Sequence, residues 1–511
     1  MESGKTAVVI GSGIGGLGLA ALLGKAGYEV TVLEKNTQLG GRMRVYEEGG
    51  FRFDMGPSWY LMPDIFEQYF LLLDEKVTDH LELRRLSPSY RIVFKDSSTG
   101  VVDIHSDLEK DSPTFERLEP GSSKRMDEYL ARAKRNYDIS KAHFIYKNYN
   151  SIFDFFTLRM AIEGQKLSVF TPMHRYVSRF FKTDEMQKIM EYTLVFLGSS
   201  PYNTPALYSL MTYIDFGMGV FYPMGGMHKI IEALVRIGKK HAVSYVTDAS
   251  VGEIRTVNGR AVSVVLESGQ EFLADVVISN ADIYHTETKL LRNELDRTYP
   301  EAYWQKRTLA PSAFILYLGL KKKVSAFQHH NLLFSKDWQK NFGEIFDTPQ
   351  WPTDPSLYIC TPSVTDPSVA PAGKENVFVL VPIAPGLSYD EASLSAFGDR
   401  ILETIAREFK IPDLLELVEV KKVFCAKDFE SAYNSYQGTA LGLAHTLFQT
   451  AIFRPNTVSQ KVSNLYYVGG NTNPGIGMPM CLISAQLVYK RLTGDNSDGP
   501  LQHLNGPRAV K

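Results

Sequence analysis

The first apolar run of the chain has the pattern of a buried strand that leads directly into a helix. Residues 6–10 are mainly apolar and β-branched, as is typical of a parallel strand covered on both faces. A second strand pattern covers residues 29–33 and ends at the acidic Glu34. The apolar positions of the helical pattern between them are Leu17, Leu19, Ala20, Leu22 and Leu23. This order predicts a strand–helix–strand unit of an α/β fold.

Patterns of the same kind return in two later parts of the chain. Between residues 217 and 290, a helical stripe precedes a strand, a hairpin about Ser268-Gly269 and a buried strand at 274–279. Near the C-terminus a glycine-rich loop follows residues 465–468, and Pro479 can occupy the first turn of a final helix because its missing N–H is harmless there. The apolar positions of the two helices are Ile230, Ile231, Leu234, Val235, Leu482, Ile483, Ala485 and Val488.

These patterns predict an α/β protein with a Rossmann-like domain built from discontinuous segments. A mixed-sheet, α+β substrate-binding domain and a helical subdomain that faces a membrane are predicted to complete it. The predicted ranges are 1–90, 217–290 and 420–511 for the Rossmann-like domain, 91–130, 183–216 and 291–419 for the substrate-binding domain, and 131–182 for the helical subdomain.

The loop after the first strand has the composition of a dinucleotide site. Gly11 permits a tight turn, Gly13 lets a pyrophosphate approach the backbone, and Gly16 allows the helix to pack closely on the strand. The helix that begins here offers free N–H groups and a partial positive charge to phosphates. At Glu34 a carboxylate can accept hydrogen bonds from ribose hydroxyls and would repel a 2′-phosphate, which argues against NADP. The alternative is a purely structural turn, which the complete strand–helix–strand order disfavours.

The segment after the second strand favours FAD over NAD. It carries Gly40-Gly41-Arg42, and residues 49–58 contain Asp54-Met55-Gly56-Pro57-Ser58. Both elements resemble those of flavoproteins with an amine-oxidase-like FAD domain. The resemblance implies that Arg42 neutralises the FAD diphosphate and that the turn at 56–58 lies near the flavin. A solvated surface arginine is the alternative for Arg42.

Composition narrows the class of protein further. Hydrophobic residues make up 44% of 511 residues, which suits two or three globular domains. The formal net charge of −2 gives no support for nucleic-acid binding. Cys360, Cys425 and Cys481 lie far apart, which suits a reducing compartment and disfavours a disulfide scaffold or a cysteine metal cluster. The first strand leaves no room for a cleavable signal and no apolar stretch has the length of a spanning helix, so we expect a soluble or peripheral membrane protein.

Residues 131–182 combine positive charge with aromatic side chains. They hold ten Lys and Arg, three acidic residues and eleven aromatics. Basic residues interleaved with large apolar ones suit a segment that meets anionic lipid. The alternative is a helical subdomain that packs on the core with its charges in solvent. The acidic residues are Asp138, Asp154 and Glu163, and the aromatics include Phe153, Phe155, Phe156, Phe170, Phe180 and Phe181.

Longer motifs make the chain similar to the bacterial phytoene desaturase family of FAD-dependent carotenoid desaturases, over nearly its whole length. The motifs are Ile14-Gly15-Gly16-Leu17, Gly40-Gly41-Arg42, Asp54-x-Gly56-Pro57-Ser58, Met62-Pro63, residues 196–201, Tyr222-Pro223-x-Gly225-Gly226, residues 329–334, 362–373 and 442–455, and Pro474-Gly475-x-Gly477-x-Pro479.

The resemblance implies that both ends of the chain hold FAD. In such domains the residue at Val251 brackets the adenine through its backbone, although an ordinary strand valine is the alternative. The final helix would direct its positive end at the flavin pyrimidine oxygen, whereas a plain helix cap would leave Met478 without a flavin contact. The residues predicted to bind FAD are Gly11, Gly13, Ile14, Gly15, Gly16, Glu34, Lys35, Gly41, Arg42, Met55, Gly56, Pro57, Ser58, Val251, Gly470, Asn471, Gly477 and Met478.

The activity that the resemblance implies is desaturation of a C30 or C40 carotene, by hydride transfer to flavin N5 and loss of a proton. Delocalisation of an allylic cation would lower the demand for a strong base. Because a carotene resides in a membrane, the resemblance implies that residues 131–182 are a membrane-associating segment. It also implies a cytoplasmic protein that is bound peripherally to the membrane. A quinone or O2 is the expected terminal electron acceptor. Alternatives are a carotenoid isomerase or oxygenase of the same family, an FAD amine oxidase, and a flavin-free lipid carrier.

One position departs from the family pattern and leaves the catalytic acid or base unassigned. Many members carry Gly-Thr-His-Pro-Gly where this chain has Asn471-Thr472-Asn473-Pro474-Gly475. Asparagine cannot shuttle protons near neutral pH. His445, Arg454 and Tyr436 remain candidates, although His445 on an apolar helix face suits a core histidine and Arg454 suits a pair with an acid.

His329 and His330 raise the question of a metal. Adjacent residues on a strand point apart, and the sequence indicates no third ligand. No metal is therefore predicted.

Overall fold

The structure is a computed structural model that describes residues 5–150 and 170–505. The strands, in chain order, are β1 (Thr6–Ile10), β2 (Glu29–Leu33), β3 (Val45–Glu48), β4 (Phe51–Asp54), β5 (Leu83–Arg85), β6 (Tyr90–Phe94), β7 (Val101–Ile104), β8 (Phe221–Pro223), β9 (Ser244–Val246), β10 (Val251–Val257), β11 (Arg260–Leu266), β12 (Glu271–Leu273), β13 (Val276–Ser279), β14 (Ser312–Leu320), β15 (His330–Phe334), β16 (Leu357–Cys360), β17 (Glu375–Ile383), β18 (Val418–Phe424) and β19 (Leu465–Tyr467). The α-helices are α1 (Ile14–Lys25), α2 (Pro63–Leu72), α3 (Leu108–Leu118), α4 (Ser122–His143), α5 (Met173–Phe180), α6 (Asp184–Glu191), α7 (Leu210–Tyr213), α8 (Lys229–Lys240), α9 (Ile283–His285), α10 (Glu301–Trp304), α11 (Trp338–Phe346), α12 (Glu391–Glu408), α13 (Leu414–Leu417), α14 (Ala426–Tyr433) and α15 (Met478–Thr493).

A five-stranded parallel sheet, in the order β19-β13-β1-β2-β9, is built from three distant parts of the chain. Both faces of β1 are buried. Ala7 and Val9 join the core formed by α1, α8 and α15, whereas Val8 and Ile10 pack towards the antiparallel sheet β10-β11-β12. Burial on both sides explains why the strand has a continuous apolar pattern.

A separate seven-stranded mixed sheet has the strand order β18-β14-β17-β16-β15-β6-β7. β15 pairs in parallel with β6, and the other neighbours are antiparallel. Helix α12 covers one face of the sheet. Most of β18 lies in the range 420–511 assigned to the Rossmann-like domain, yet β18 pairs with β14 in this sheet. The exact domain boundaries therefore stay a prediction.

The described parts of residues 131–182 are mainly helical. Met126, Tyr129 and Leu130 of α4 share a core with Tyr176 and Val177 of α5, next to the β6–β7 edge of the large sheet. Phe153, Phe155, Phe156, Asp154 and Glu163 lie outside the described residues. In the ranges 5–150 and 170–505, no helix is both long and apolar enough to cross a membrane.

The prediction of a mixed α/β fold with a Rossmann-like domain is confirmed. The close contact between the first strand–helix turn and α1 depends on glycine. A Cβ atom built on Gly16 would lie 2.4 Å from the carbonyl oxygen of Gly11, which is far inside van der Waals contact.

We expect Gly16→Ala to lower the apparent melting temperature, because α1 would have to move away from the turn at a cost of about 1–3 kcal/mol. Thermal unfolding of the purified protein measures this. Gly343→Ala in α11 is the matched control, since the nearest atom to its Cβ would be 3.8 Å away and alanine favours a helix. Equal melting temperatures for the two variants would contradict the packing role of Gly16.

Candidate cofactor and substrate site

One continuous cavity of about 1740 Å³ joins the glycine-rich loop to the inner face of the seven-stranded sheet. Sites for a single small ligand are usually about 300–1,000 Å³, so this cavity has room for two ligands. Every residue predicted to bind FAD lines it except Gly16, which packs behind the loop. Apart from Gly16, the residues predicted from the sequence to bind FAD therefore line one end of the cavity.

Two loops from opposite ends of the chain meet at this end. A Cβ atom on Gly15 would lie 3.1 Å from Cα of Gly469, and one on Gly13 would lie 2.6 Å from Oδ1 of Asn280. Asn280 also donates a 2.8 Å hydrogen bond to the carbonyl of Val468. The sequence analysis missed Asn280, which follows β13 and joins the two loops.

Glu34 is buried, and its carboxylate is held by neighbours in the protein. Oε2 accepts from the amide and hydroxyl of Ser12 at 3.0 and 2.6 Å, and Oε1 accepts from the amide and side chain of Asn36 at 2.9 and 2.7 Å. These bonds fix the acid at the cavity wall. A ribose hydroxyl would have to share these oxygens, so its predicted role stays a prediction.

The two basic residues predicted at this end have different environments. Arg42 donates to Oγ of Ser435 at 3.0 Å and lies 5.3 Å from the ring centre of Tyr433, while its buried Nε has no hydrogen-bond partner. Lys35 instead donates to the carbonyl of Ser431 at 2.7 Å and to Asn434. Arg42 thus keeps a donor free for an anion, while Lys35 is held at the C-terminal end of α14, where Ser431 lies in the helix and Asn434 follows it.

The C-terminal loop completes the polar end. Asn471 donates to Oδ2 of Asp282 at 3.0 Å, and burial raises the pKa of that aspartate. Gly477 and Met478 line the cavity where α15 begins, and Pro479 lies in its first turn as predicted. Helices α1 and α15 therefore both begin at the cavity and direct the positive ends of their dipoles to it.

The rest of the cavity is mainly apolar. Part of its wall comes from the sheet and α11, and another part comes from the segment 195–214. Outside the cofactor end, Lys147 is the single Asp, Glu, Lys or Arg among the described lining residues. The principal apolar residues are Leu61, Ile145, Val195, Leu197, Leu210, Met211, Ile214, Leu332, Phe334, Phe342, Ile345, Phe378 and Leu380.

Comparisons with known proteins agree with this geometry. Residues 14–489 match the family described as flavin containing amine oxidoreductase. The chain is 44% identical to a carotenoid 3,4-desaturase of Haloarcula japonica over 96% of this chain and 99% of that one. It is 35% identical to a zeta-carotene-forming phytoene desaturase of Myxococcus xanthus, over 96% of this chain and 94% of that one.

The chain belongs to the flavin-containing amine oxidoreductase family. The predicted resemblance to carotenoid desaturases and the prediction of FAD are thus confirmed, and the protein is an FAD-dependent oxidoreductase. A solved oxidoreductase from Methanosarcina mazei has the same fold, with a TM-score of 0.65, 19% identity, and coverage of 95% of this chain and all of that one (100%).

The residues at the polar end of this flavoenzyme fit a dinucleotide. Glycines whose Cβ positions are blocked form the loop, two helix N-termini begin at the cavity, and Arg42 has an unpartnered donor. Pyrophosphate binding uses these features in combination. The sequence analysis missed Ser12, Asn280 and Asp282, because each acts through contacts with distant parts of the chain.

Among the three catalytic candidates of this flavoenzyme, only His445 lines the cavity. The expectation that it lies on a helix is wrong, because residues 443–446 are not helical and the His445 amide donates to Ser199 Oγ. Its Nδ1 donates to the carbonyl of Leu197 at 3.0 Å, and burial lowers its pKa to about 3. A Cβ atom on Gly475 would lie 2.2 Å from its Nε2. His445 is therefore a buried packing residue against the C-terminal loop.

Arg454 is buried, and the expectation that it pairs with an acid is wrong. Its guanidinium donates to four backbone carbonyl oxygens, two of which belong to the C-terminal loop. These buried acceptors thereby gain a hydrogen-bond partner. Burial lowers its pKa to about 10. Tyr436 lies outside the cavity, with its ring 4.0 Å from that of Tyr284. Both residues stabilise loops and do not line the cavity. The four residues whose carbonyl oxygens accept from Arg454 are Leu443, Gln449, Gly470 and Thr472.

The adjacent histidines also differ from expectation. The rings of His329 and His330 lie 4.5 Å apart, because His329 precedes β15 and so does not follow its alternation. Cys360 lies beside them, with one ligand-type atom of each of the three residues within 4.8 Å of the others. The idea that no third such group exists was therefore wrong. Burial raises the pKa of the Cys360 thiol to about 12, so it stays protonated, whereas metals bind the thiolate. The assignment of no metal stays a prediction.

We expect Arg454→Met to weaken retention of FAD and to destabilise the protein by on the order of 3 kcal/mol, because buried carbonyls would lose their donor. The FAD-to-protein absorbance ratio and the melting temperature measure the two effects. Arg400→Met is the control, since Arg400 is exposed on α12 and does not line the cavity. A variant that keeps a full complement of FAD and an unchanged melting temperature would contradict this role.

Proposed function

We propose that this protein is an FAD-dependent desaturase that introduces C=C bonds into a C30 or C40 carotene. The observation that carries the proposal is the long apolar cavity that opens directly from the predicted flavin-binding residues. A carotene has no charge and needs apolar walls along its length. The carotenoid desaturases among the relatives support the same substrate class.

The electrostatics of the cavity favour a neutral substrate over an amine. An ammonium group that leaves water is held most strongly by a carboxylate. Glu34 and Asp282 lie at the cofactor end, and the substrate part has no carboxylate among its described lining residues. Lys147, the charged residue that does line it, would repel a cation. The alternative of an amine oxidase is therefore disfavoured.

The chain's own residues would position the two ligands. In the proposed arrangement, the predicted FAD-binding residues that line the cavity hold the cofactor and Gly16 packs behind them, with Arg42 on the diphosphate and the turn at 56–58 beside the flavin. The apolar walls align the carotene and exclude water. An allylic cation formed on the carotene would therefore last longer, because no water is present to attack it. Bound FAD supplies a hydride acceptor. A quinone or O2 remains our proposal for the terminal acceptor.

We expect FAD-loaded protein to desaturate an acyclic carotene under anaerobic conditions, with loss of flavin absorbance and a red-shifted product spectrum. A panel of acyclic carotenes of different chain length and an aliphatic diamine tests this. Bleaching by the diamine alone would favour an amine oxidase. A change in polyene geometry without bleaching would indicate an isomerase, and an oxygen-containing product formed only in air would indicate an oxygenase.

We also propose that the cavity opens towards a membrane. Phe170, Phe448 and Phe453 line its mouth, although 90%, 70% and 44% of their surfaces are exposed. Exposed aromatic residues around an apolar opening suit insertion into the interfacial region of a bilayer. A carotene could then enter the cavity without crossing water. Basic residues in the described parts of 131–182 would favour anionic lipid.

We expect the Phe170→Ser/Phe448→Ser variant to bind anionic phospholipid vesicles at least about tenfold more weakly, because each buried Phe contributes about 1.5–3 kcal/mol. Vesicle flotation measures the bound fraction. Leu273→Ser is the control, since Leu273 is 75% exposed on β12 and does not line the cavity. Failure of the unmodified protein to float at low and high salt alike would overturn the membrane proposal.

A further inference from the structure

A chain of hydrogen bonds leads from the cavity wall into the seven-stranded sheet. Oγ of Ser58 lies 2.7 Å from the hydroxyl of Tyr358, and that hydroxyl lies 2.8 Å from Nδ1 of His330. Ser58 and Tyr358 line the cavity, whereas His330 lies behind them and is fully buried. Ser58 belongs to the turn predicted to lie beside the flavin, so the chain starts where the reaction would occur.

The surroundings of His330 keep its ring neutral, so it can hold a relayed proton only briefly. Burial lowers its pKa well below the usual value, so Nδ1 can accept from the Tyr358 hydroxyl when the ring proton is on Nε2. Nε2 is buried and has no hydrogen-bond partner. The ring stacks on Trp59, with centroids 4.2 Å apart and planes 8° apart, and such stacking stabilises a protonated imidazole.

A second imidazole lies beside His330 and contacts a half-buried threonine. The ring of His329 lies 4.5 Å from that of His330, and its Nε2 is also buried without a partner. Nδ1 of His329 lies 2.8 Å from Oγ1 of Thr365, which is half-buried and so reaches solvent. Two imidazoles in edge-to-face contact, each with an unpartnered Nε2, thus lie between a hydroxyl at the cavity wall and a hydroxyl of a half-buried residue.

We propose that Ser58, Tyr358 and His330 form a proton relay that takes up the proton lost by the substrate, and that His329 and Thr365 return it to solvent. This inference rests on the proposed desaturase function. Ser58 accepts the proton while its own proton moves to Tyr358, and the Tyr358 proton moves to Nδ1 of His330.

The step balances in atoms and electrons. One C–H bond of the carotene would break, with its electron pair leaving with the hydrogen as a hydride, and FAD held by the predicted binding residues would supply the acceptor. The neighbouring C–H bond then breaks, its electron pair becomes the new π bond, and its proton enters the relay. The substrate loses two hydrogens and two electrons, and His330 gains one proton until His329 releases it.

Other groups at the cavity are less suited to this task. Asn473 replaces the histidine of many family members and cannot take up a proton near neutral pH. His445 already donates through Nδ1 to the carbonyl of Leu197, and its Nε2 faces Gly475. The substrate part has no carboxylate among its described lining residues. The Ser58–Tyr358–His330 chain is thus a connected set of proton-accepting groups that starts at the cavity wall.

We expect Tyr358→Phe to lower kcat by about 100-fold with KM unchanged, the lower range for loss of an acid–base group. Tyr60→Phe is the control, because Tyr60 is buried, its hydroxyl has no hydrogen-bond partner and it does not line the cavity. A Tyr358→Phe enzyme as active as Tyr60→Phe would overturn the relay. An unmodified enzyme that desaturates nothing would instead overturn the proposed function.

A second measurement does not depend on activity. In protein labelled with 15N-histidine, NMR should show His330 with its proton on Nε2 and an accepting Nδ1, and Tyr358→Phe should shift the Nδ1 resonance as its hydrogen bond is lost. Tyr60→Phe should leave that resonance in place. A proton on Nδ1 of His330 would reverse the direction of the bond and overturn the relay even if the unmodified enzyme is inactive.

Discussion

The structure depends on one close approach, between the first loop of the chain and the last. Gly15 and Gly469 meet so closely that a Cβ atom on Gly15 would lie 3.1 Å from Cα of Gly469. Asn280 occupies the gap and donates to Val468, so a third segment is fixed at the same point. Because β1, β13 and β19 are neighbours in one parallel sheet, their carboxyl ends bring these three turns together. The polar end of the cavity follows from that arrangement.

Arg454 connects the apolar part of the cavity to the loop at which the two ends of the chain meet. Its four hydrogen bonds connect Gly470 and Thr472, in the last loop, to Leu443 and Gln449, in the segment that forms part of the cavity wall. One buried guanidinium can satisfy several carbonyls of irregular backbone, which would otherwise lack donors away from water. The site for the cofactor and the wall for the substrate are therefore positioned together.

The parts of the site that sequence could predict are those determined by neighbours along the chain. The loop at Gly11–Gly16 and the start of α15 at Met478 are local patterns, and the structure has both where they were expected. Asn280 and the Ser58–Tyr358–His330 chain join residues that are far apart in sequence, so no local pattern indicates them. A helix was expected at His445 because its apolar neighbours resemble a helical stripe, whereas residues 443–446 are not helical and His445 lines the cavity.

An apolar cavity also constrains where a base can be. A carboxylate in the substrate part would have to be desolvated beside a hydrocarbon and would cost several kcal/mol unless it were paired. A neutral hydroxyl backed by a neutral imidazole avoids that cost, because no charge is present until a proton arrives. Trp59, stacked on His330, then stabilises the charge inside the sheet and away from the substrate. The same low polarity that suits a carotene therefore favours a buried relay over an ionised side chain at the cavity wall.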